Sequence, residues 1–479
     1  MKRSIGSGVL VCLIACGSLR ENPLGEPDEP GTPDASTDLD ASEPPPTVDG
    51  GSDGAVVVPP IREDVACAGA DAWFQTGRAG ECSQRTLRVV QETPAESIGA
   101  WPNIDAAWSL SGRLGIVLSW VDGLEAGYLQ ALTFDTATAE FTVRQDIARP
   151  NFDLMREGEG ARIAARPDGT FEVLSMLAEQ DAGGEVFLRS LPPLQGFTAP
   201  SLVFTGADRR ASLGLYVHGD SSVTATATLP RDGDSSIVTR RRQPQATAFD
   251  EALPTDFDFF RPGPDSNGNH RMAADAFGGL HIVYEMGISG AFSQPRTAQL
   301  SSEGWINFRT VDPSLSQSPS GSSLSLFVLQ DEKNAVYLAQ ATDADDNALP
   351  EAHLVRARWR SLNEPVVRVP IATGFVIDGN DGIPVGIHGT AASAADASGA
   401  MHVVFSREDP ALPAHCQVFY AHEGAVNGVV QVLTDTVSDV VSCSGLSLPV
   451  ALAVEPGGRP HIAYIDPLKG VVYATRYDR

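Results

Sequence analysis

Three segments that repeat one pattern decide the fold: DAFGGLHIVY at residues 275–284, DASGAMHVVF at 396–405 and EPGGRPHIAY at 455–464. Each has an acidic residue, a glycine three positions later, a histidine, and then apolar residues that end on an aromatic ring. The glycine supplies the positive φ that a tight turn needs, and the β-branched residues after it favour a strand. Each segment therefore predicts two strands joined by a tight turn.

Weaker copies extend this repeat along the chain. They place turn residues at 112, 169, 221 and 334, in addition to 278, 399 and 458, so the gaps are 57, 52, 57, 56, 65 and 59 residues. Each unit also contains two further strand-like segments, which makes four antiparallel strands per unit. Seven such units predict an all-β chain folded as a seven-bladed β-propeller. A pair of β-sandwich domains is the alternative, but it does not explain seven similar spacings.

The two ends of the repeat region complement each other. The last unit stops after its third strand, whereas residues 86–92, upstream of the first unit, match the fourth-strand pattern. An open ring would leave an edge of unpaired N–H and C=O groups. We therefore expect residues 86–92 to pair with residues 471–477 and close the ring.

The turns resemble those of sialidase-like and BNR-like propellers, over about residues 85–479, and those of bacterial secreted propellers with an Asp-x-x-Gly-x-x-His-x-x-Tyr turn. The Ser-x-Asp-x-Gly-x-x-Trp box of sialidases is absent, because Asp275 stands three residues before Gly278 and not two. Its catalytic residues cannot be carried over, and no Gly-x-Ser-x-Gly, His-Glu-x-x-His or Walker motif occurs. The sequence predicts no catalytic residue, no cofactor and no metal site.

The repeated histidines have two interpretations. His281, His402 and His461 occupy the same position of the repeat, so three of them together could hold a metal ion. Equivalent positions of different blades lie far apart around a ring, which favours the second interpretation, that each imidazole ties its own turn by hydrogen bonds. By the same reasoning the aromatic residues that end the three segments belong to the core between blades.

The first residues of the chain have the pattern of an export signal. Lys2 and Arg3 precede a short apolar run at 9–15, which is too short to span a bilayer. The tetrapeptide LIAC at 13–16 resembles the lipobox of bacterial lipoproteins, which implies a signal peptide at 1–15 and a palmitate-bearing Cys16. Gly17, in place of Asp, implies sorting to the outer membrane; whether the protein faces the periplasm or the cell surface is left open. An ordinary secretory signal is the alternative.

The segment that follows is expected to be a disordered tether. Residues 16–64 are rich in proline and contain twelve acidic and two basic residues, so they bury too little apolar surface to fold. We assign residues 65–479 to the propeller. The net charge of −27 argues against a nucleic-acid partner. The expected partners are outer-membrane lipid, through the acylated Cys16, and a glycan or surface protein, bound by a monomer.

Four cysteines remain after the signal region: Cys67, Cys82, Cys416 and Cys443. An even number in an exported chain favours disulfides. Three pairings are open, and proximity in the sequence favours Cys67–Cys82 and Cys416–Cys443.

The long connections of such a ring open on one face, and loops on a rigid scaffold are where ligands usually bind. Asp105, Arg162 and Arg271 share one register, seven residues before the turn, near the mouth of the central channel. The arginine run at 240–242 alternates faces of a strand and is expected at the surface. Our ligand-binding candidates are Asp105, Arg162, Asp265, His270, Arg271, Asp378, Asp381 and His388.

Two functions are compatible with these candidates. The first is a non-enzymatic, membrane-anchored lipoprotein that binds a glycan or protein on its loop-rich face. The alternative is a carbohydrate-active enzyme, a sialidase-like hydrolase or a polysaccharide lyase, with acids and arginines in the central funnel. The same charged residues could also be ion pairs and turn caps on an acidic surface.

Overall fold

A computed structural model describes the protein at residues 72–75, 82–91, 103–121, 127–135, 140–149, 160–177, 184–207, 211–231, 234–251, 270–289, 292–312, 324–329, 331–340, 351–378, 386–387, 389–409, 412–426, 429–443 and 448–477. All of these belong to the compact unit Pro60–Arg479. The predicted signal peptide, Cys16 and tether lie outside the described residues. Within these ranges no helix is long and apolar enough to span a membrane.

The strands form seven antiparallel sheets, which we number as blades. Two strands, β1 (Ala72–Gln75) and β2 (Cys82–Gln91), precede the first blade. Blade 1 contains β3 (Asn103–Ser109), β4 (Arg113–Val121), β5 (Gly127–Asp135) and β6 (Glu140–Arg149). Blade 2 contains β7 (Ala161–Ala165), β8 (Phe171–Leu177), β9 (Gly184–Leu191) and β10 (Ser201–Ala207). Blade 3 has three described strands, β11 (Leu213–Val217), β12 (Val223–Arg231) and β13 (Asp234–Arg242).

Blades 4 to 7 follow in chain order. Blade 4 contains β14 (His270–Ala274), β15 (Leu280–Ser289), β16 (Phe292–Ser301) and β17 (Gly304–Thr310). Blade 5 contains β18 (Ser325–Leu329), β19 (Glu332–Gln340), β20 (Glu351–Trp359), β21 (Val367–Asp378) and the short β22 (Gly386–Ile387). Blade 6 contains β23 (Gly389–Ala395), β24 (Met401–Asp409), β25 (Leu412–Val426), β26 (Val429–Thr436) and the short β27 (Val441–Ser442). Blade 7 contains β28 (Val450–Val454), β29 (Pro460–Asp466) and β30 (Gly470–Tyr477).

The ring is closed as the sequence predicts. Strand β2 pairs with β30 in antiparallel register, with Leu87 opposite Ala474, and β1 adds a fifth strand outside β2. The innermost strands β3, β7, β11, β14, β18, β23 and β28 each contact the next, and β28 contacts β3. The seven-bladed β-propeller is therefore confirmed, and the two-sandwich alternative is wrong.

The core is divided among the blade interfaces. Seven apolar clusters lie one at each interface between neighbouring blades. The aromatic residues that end the three segments, Tyr284, Phe405 and Tyr464, are all buried in these clusters, as predicted. Burying one such side chain stabilises the fold by roughly 1.5–3 kcal/mol, so each blade is held mainly by its two neighbours.

The tight turns are built at six of the seven predicted positions. Positive φ angles occur at Gly112, Gly169, Ser221, Gly278, Gly399 and Gly458. The prediction for position 334 is wrong, because Asn334 lies inside β19. In that hairpin Leu329 already pairs with Glu332, so the turn comes earlier than the sequence pattern predicts.

The repeated histidines tie these turns, as predicted. The Nε2 atom of His281 lies 2.9 Å from Oδ2 of Asp275, and the equivalent distance from His461 to Oε1 of Glu455 is also 2.9 Å. His402 lies 3.4 Å from Asp396 in the same arrangement. Burial lowers the pKa of both His281 and His461. Each pair joins two strands across one turn, which is a structural role.

The structure tests two further predictions from the sequence, on the disulfides and on the arginine run at 240–242. The disulfide Cys416–Cys443 is present, with a Cα–Cα distance of 5.6 Å, whereas Cys67 lies outside the described residues and its pairing with Cys82 stays a prediction. The surface placement of residues 240–242 is wrong for Arg242. Its side chain is buried, and its Nη2 lies 2.8 Å from Oε1 of the fully buried Glu172, because a carboxylate inside blade 2 needs a charged partner.

We expect Gly278→Ala to lower the free energy of unfolding by about 1–2 kcal/mol, since a side chain at positive φ costs roughly that much. A Cβ atom at Gly278 would meet nothing within 4 Å, so the loss reports backbone conformation alone. Gly219→Ala is the matched control, because it has equally open space without a positive φ. Urea denaturation of both variants measures the difference. Equal stability of the two variants would show that the turn conformation is misassigned.

Candidate functional site

The two ends of the ring differ in their connections. At one end, which we call the turn face, lie the tight turns between first and second strands, such as those at 109–112, 166–170 and 275–279. At the other end, the loop face, the second strand of each blade ends and the third strand begins. The innermost strands begin at the loop face, so their first residues surround that mouth of the central channel.

Asp105, in β3, joins blade 1 to blade 2 at this mouth. Its half-buried carboxylate accepts the backbone N–H of Ile163 on β7, with an Oδ2–N distance of 3.0 Å. This bond fixes the carboxylate at the seam between two blades. It occupies one of the two carboxylate oxygens.

Arg162, in β7, is buried and joins blade 2 to blade 3. Its Nε donates to the carbonyl oxygen of Leu213 at 3.2 Å, and its Nη1 donates to the carbonyl oxygen of Ala161 at 3.1 Å. Burial lowers the pKa of Arg162, and the charge of Arg271 lowers it further, while Asp105 opposes both. The guanidinium is thus held in place by backbone carbonyls and lies in the field of two other charged groups.

Arg271, in β14, is half-buried and comes from blade 4. Its Nη1 donates to the carbonyl oxygen of His270 at 3.2 Å. Burial lowers the pKa of Arg271 to about 10, against the opposing charges of Asp105 and Glu285. At that pKa the side chain remains a cation at neutral pH. Asp105, Arg162 and Arg271, from three different blades, thus interact electrostatically with one another.

Glu285, in β15, belongs to this site but was missed by the sequence analysis. It is buried and interacts electrostatically with Arg271. The equivalent residues in blades 6 and 7 are Ser406 and Ile465, each directly after the aromatic residue of the repeat. A carboxylate at a position that elsewhere carries a small polar or apolar residue is the signal that could have identified it.

Among the other candidates from the sequence, His270 is the one whose side chain the structure describes. His270 is fully buried between blades 3 and 4. Its ring Nε2 lies 2.7 Å from Oγ1 of Thr226, and its backbone N–H donates to Oγ of Ser212. Asp378 ends β21, where its backbone pairs with Gly386. Asp265, Asp381 and His388 lie outside the described residues.

At the position equivalent to Asp105, Arg162 and Arg271, the other inner strands carry no charged residue. The equivalent residues of blades 3, 6 and 7 are Gly214, Ala392 and Ala451, and in blade 5 the Ser325 hydroxyl accepts the N–H of Ser393 at 3.0 Å. The charged groups are thus confined to blades 1, 2 and 4. Among the described residues, no group of three or more His, Cys, Asp or Glu side chains could hold a metal ion.

These groups can recognise a ligand by hydrogen bonds. Two carboxylates supply acceptors and two guanidiniums supply donors in a fixed planar geometry. Because the four formal charges sum to zero, the site suits a neutral or weakly charged molecule with many hydroxyl groups better than a polyanion.

The likenesses between this chain and known proteins are weak. No protein-family model and no curated protein matches the sequence. Among solved structures, a polysaccharide lyase is 8% identical with a TM-score of 0.41, covering 80% of this chain and 89% of its own. A Hadza microbial sialidase is 7% identical with a TM-score of 0.42, covering 74% and 73%. The six-bladed Aleuria aurantia lectin is 12% identical with a TM-score of 0.38, covering 73% and 98%.

Proteins that bind or process carbohydrates are thus among those that this chain resembles. At TM-scores of 0.38 to 0.42, however, none of these likenesses bears on what this chain itself binds.

We expect Asp105→Asn and Arg271→Gln to be coupled. Asp105→Asn removes the charge that offsets repulsion between Arg162 and Arg271, whereas Arg271→Gln removes that repulsion itself. A double-mutant cycle measured by urea denaturation should give a coupling energy of about 0.5–3 kcal/mol. If the two effects add, the three groups do not share one site.

Proposed function

We propose that this protein is a glycan-binding propeller whose ligand docks at the loop-face mouth of the central channel. The observation that carries the proposal is the convergence of Asp105, Arg162 and Arg271 from three different blades. Buried charges are costly unless they are paired or used in binding, and four charged groups are grouped here in an otherwise uncharged ring of inner strands.

A saccharide fits this chemistry. Each sugar hydroxyl donates and accepts a hydrogen bond, so alternating carboxylates and guanidiniums can satisfy several hydroxyls at once. A nucleic acid does not fit, because the chain carries a net charge of −27 and repels phosphates.

The four residues have different roles in the proposed complex. Asp105 accepts from sugar hydroxyls through the oxygen that does not bind Ile163, and Arg271 donates to sugar oxygens. Arg162 is a positioning residue, since its Nε and Nη1 already donate to backbone carbonyls. Glu285 orients Arg271 from the same blade.

We further propose that the protein is an exported lipoprotein of the bacterial outer membrane, anchored through an acylated Cys16. The lipobox-like sequence at 13–16 supports the anchor. The Cys416–Cys443 disulfide supports export, because disulfides persist in oxidising compartments and are rare in the cytosol.

A carbohydrate-active enzyme is the second candidate. Hydrolysis of a glycosidic bond commonly uses two carboxyl groups about 5–9.5 Å apart. Asp105 and Glu285 both lie in the electrostatic range of Arg271, which is the observation that favours this candidate. Binding is the preferred proposal because Glu285 is buried.

The proposal is tested with a glycan array, followed by calorimetry on the best ligand. We expect Asp105→Asn and Arg271→Gln each to weaken binding at least about tenfold, which is roughly 1.4 kcal/mol. Arg358→Gln is the matched control, because Arg358 is an exposed arginine on β20 of blade 5; it should bind as the unaltered protein does. Thermal melting of each variant establishes that it is folded.

Two results would contradict the proposal. If both folded site variants bind the glycan with unchanged affinity, the ligand does not bind at this site. Release of shorter or unsaturated sugars from the bound glycan, abolished by Asp105→Asn, would establish the enzyme instead.

A further inference from the structure

The turn face carries apolar side chains at the tips of its turns. Phe277 is 88% exposed, and Leu110 and Leu194 are each 77% exposed, the largest fractions among the large apolar side chains of the described residues. Turn tips normally carry Gly, Pro, Asn, Asp or Ser. Leu194 even adopts a φ of 58°, which Gly or Asn takes at lower cost, so the turn itself does not call for leucine.

These tips project from the same face of the ring. Leu110 and Phe277 lie in turns between first and second strands, and Leu194 lies in the turn between β9 and β10, which emerges at the same end of an antiparallel blade. The turns that carry Leu110 and Leu194 both approach Gly169. A Cβ atom on Gly169 would lie 2.5 Å from Oγ of Ser111 and 3.8 Å from Cγ of Pro193. The exposed Leu362, in the turn between β20 and β21, adds a fourth tip.

The arrangement fits a lipid bilayer better than a folded partner. Separate apolar tips on different blades form no groove, but they can insert side by side into the boundary between headgroups and acyl chains, as apolar side chains of interfacial proteins do. Exposed acidic residues share this face, namely Asp168, Asp220 and Glu303. These acidic residues outnumber the exposed Arg360 of the same face, so we expect docking on zwitterionic lipid and repulsion from anionic lipid.

The described part of the chain begins near the same face, at Ala72. Strand β1 lies level with Gln84 of β2, which pairs with Tyr477 at the turn-face end of β30. Cys16 and Ala72 are 72 − 16 = 56 residues apart, a length that reaches up to about 170 Å if extended at about 3.1 Å per residue. The length of this segment therefore sets no orientation of the ring.

We propose that the turn face docks on the bilayer through Phe277, Leu110 and Leu194, and so directs the loop face and its site away from the membrane. This inference rests on the lipid anchor of the proposed function. The acylated Cys16 attaches the chain to the membrane, and the tips fix which face of the ring meets the bilayer.

The experiment uses the full acylated chain on phosphatidylcholine vesicles with brominated acyl chains, which quench nearby tryptophan. Phe277→Trp reports the turn face. Leu468→Trp is the matched control, because Leu468 is 73% exposed at the tip of the β29–β30 turn on the opposite face. We expect bromine to quench the fluorescence added by Phe277→Trp at least twofold more than that added by Leu468→Trp. Equal quenching, or stronger quenching of Leu468→Trp, would overturn the docking.

A second arm separates docking from anchoring. Labelling with radioactive palmitate that Cys16→Ser abolishes supports the anchor; absence of label refutes the anchor alone. In that case the same quenching comparison is made on the Cys16→Ser chain, held to nickel-chelating lipid by an N-terminal histidine tag. If light scattering without vesicles gives a dimer that Phe277→Asp dissociates, a second copy covers the tips and the docking is refuted.

Discussion

The pairing of β2 with β30 is the interaction on which the rest of the ring depends. Blade 7 has only three strands of its own at the C-terminal end of the chain, and β2 supplies the fourth from upstream of blade 1. Without it, β30 would expose a row of unpaired backbone groups. The contact of β28 with β3 at the centre and the shared apolar cluster of blades 7 and 1 complete the same seam. The first and last parts of the ring are thereby joined through hydrogen bonds as well as through packing.

The side-chain pair that crosses each tight turn is made by different residue types in different blades. The residue that starts the turn pairs with the residue six positions later in several blades: Asp275 with His281, Glu455 with His461 and His218 with Thr224. In blade 2 the polarity is reversed, because Arg166 pairs with the buried Glu172. Both partners need only complementary hydrogen-bonding capacity, so the turns remain alike while their side chains differ. The charged site at the loop face arises in the same way, from substitutions at one register of the inner strands.

The sequence predicts most of the fold because a repeated turn has local causes. A residue at positive φ and the strands on either side of it can be recognised from a few neighbouring positions, as at Gly278. The prediction fails where contacts between residues far apart in the sequence determine where a turn or a side chain lies. Asn334 was misplaced because the β18–β19 hairpin closes over two residues. Arg242 is buried because Glu172 of the neighbouring blade needs it, and His270 packs against Thr226 of blade 3. The shared register of the inner strands identified Asp105, Arg162 and Arg271 as candidates. Glu285 lies on β15, the second strand of blade 4, and does not share that register.

Native-state hydrogen exchange tests ring closure most directly. If β2 is an integral strand of blade 7, those backbone N–H groups of residues 87–89 that point toward β30 must exchange only when the whole ring unfolds, in step with the amides of β29 and β30. Their protection should then fall together with that of β30 as urea is added. Exchange of every amide of residues 87–89 within seconds, while β29 and β30 stay protected, would contradict a ring closed by its N-terminal strand.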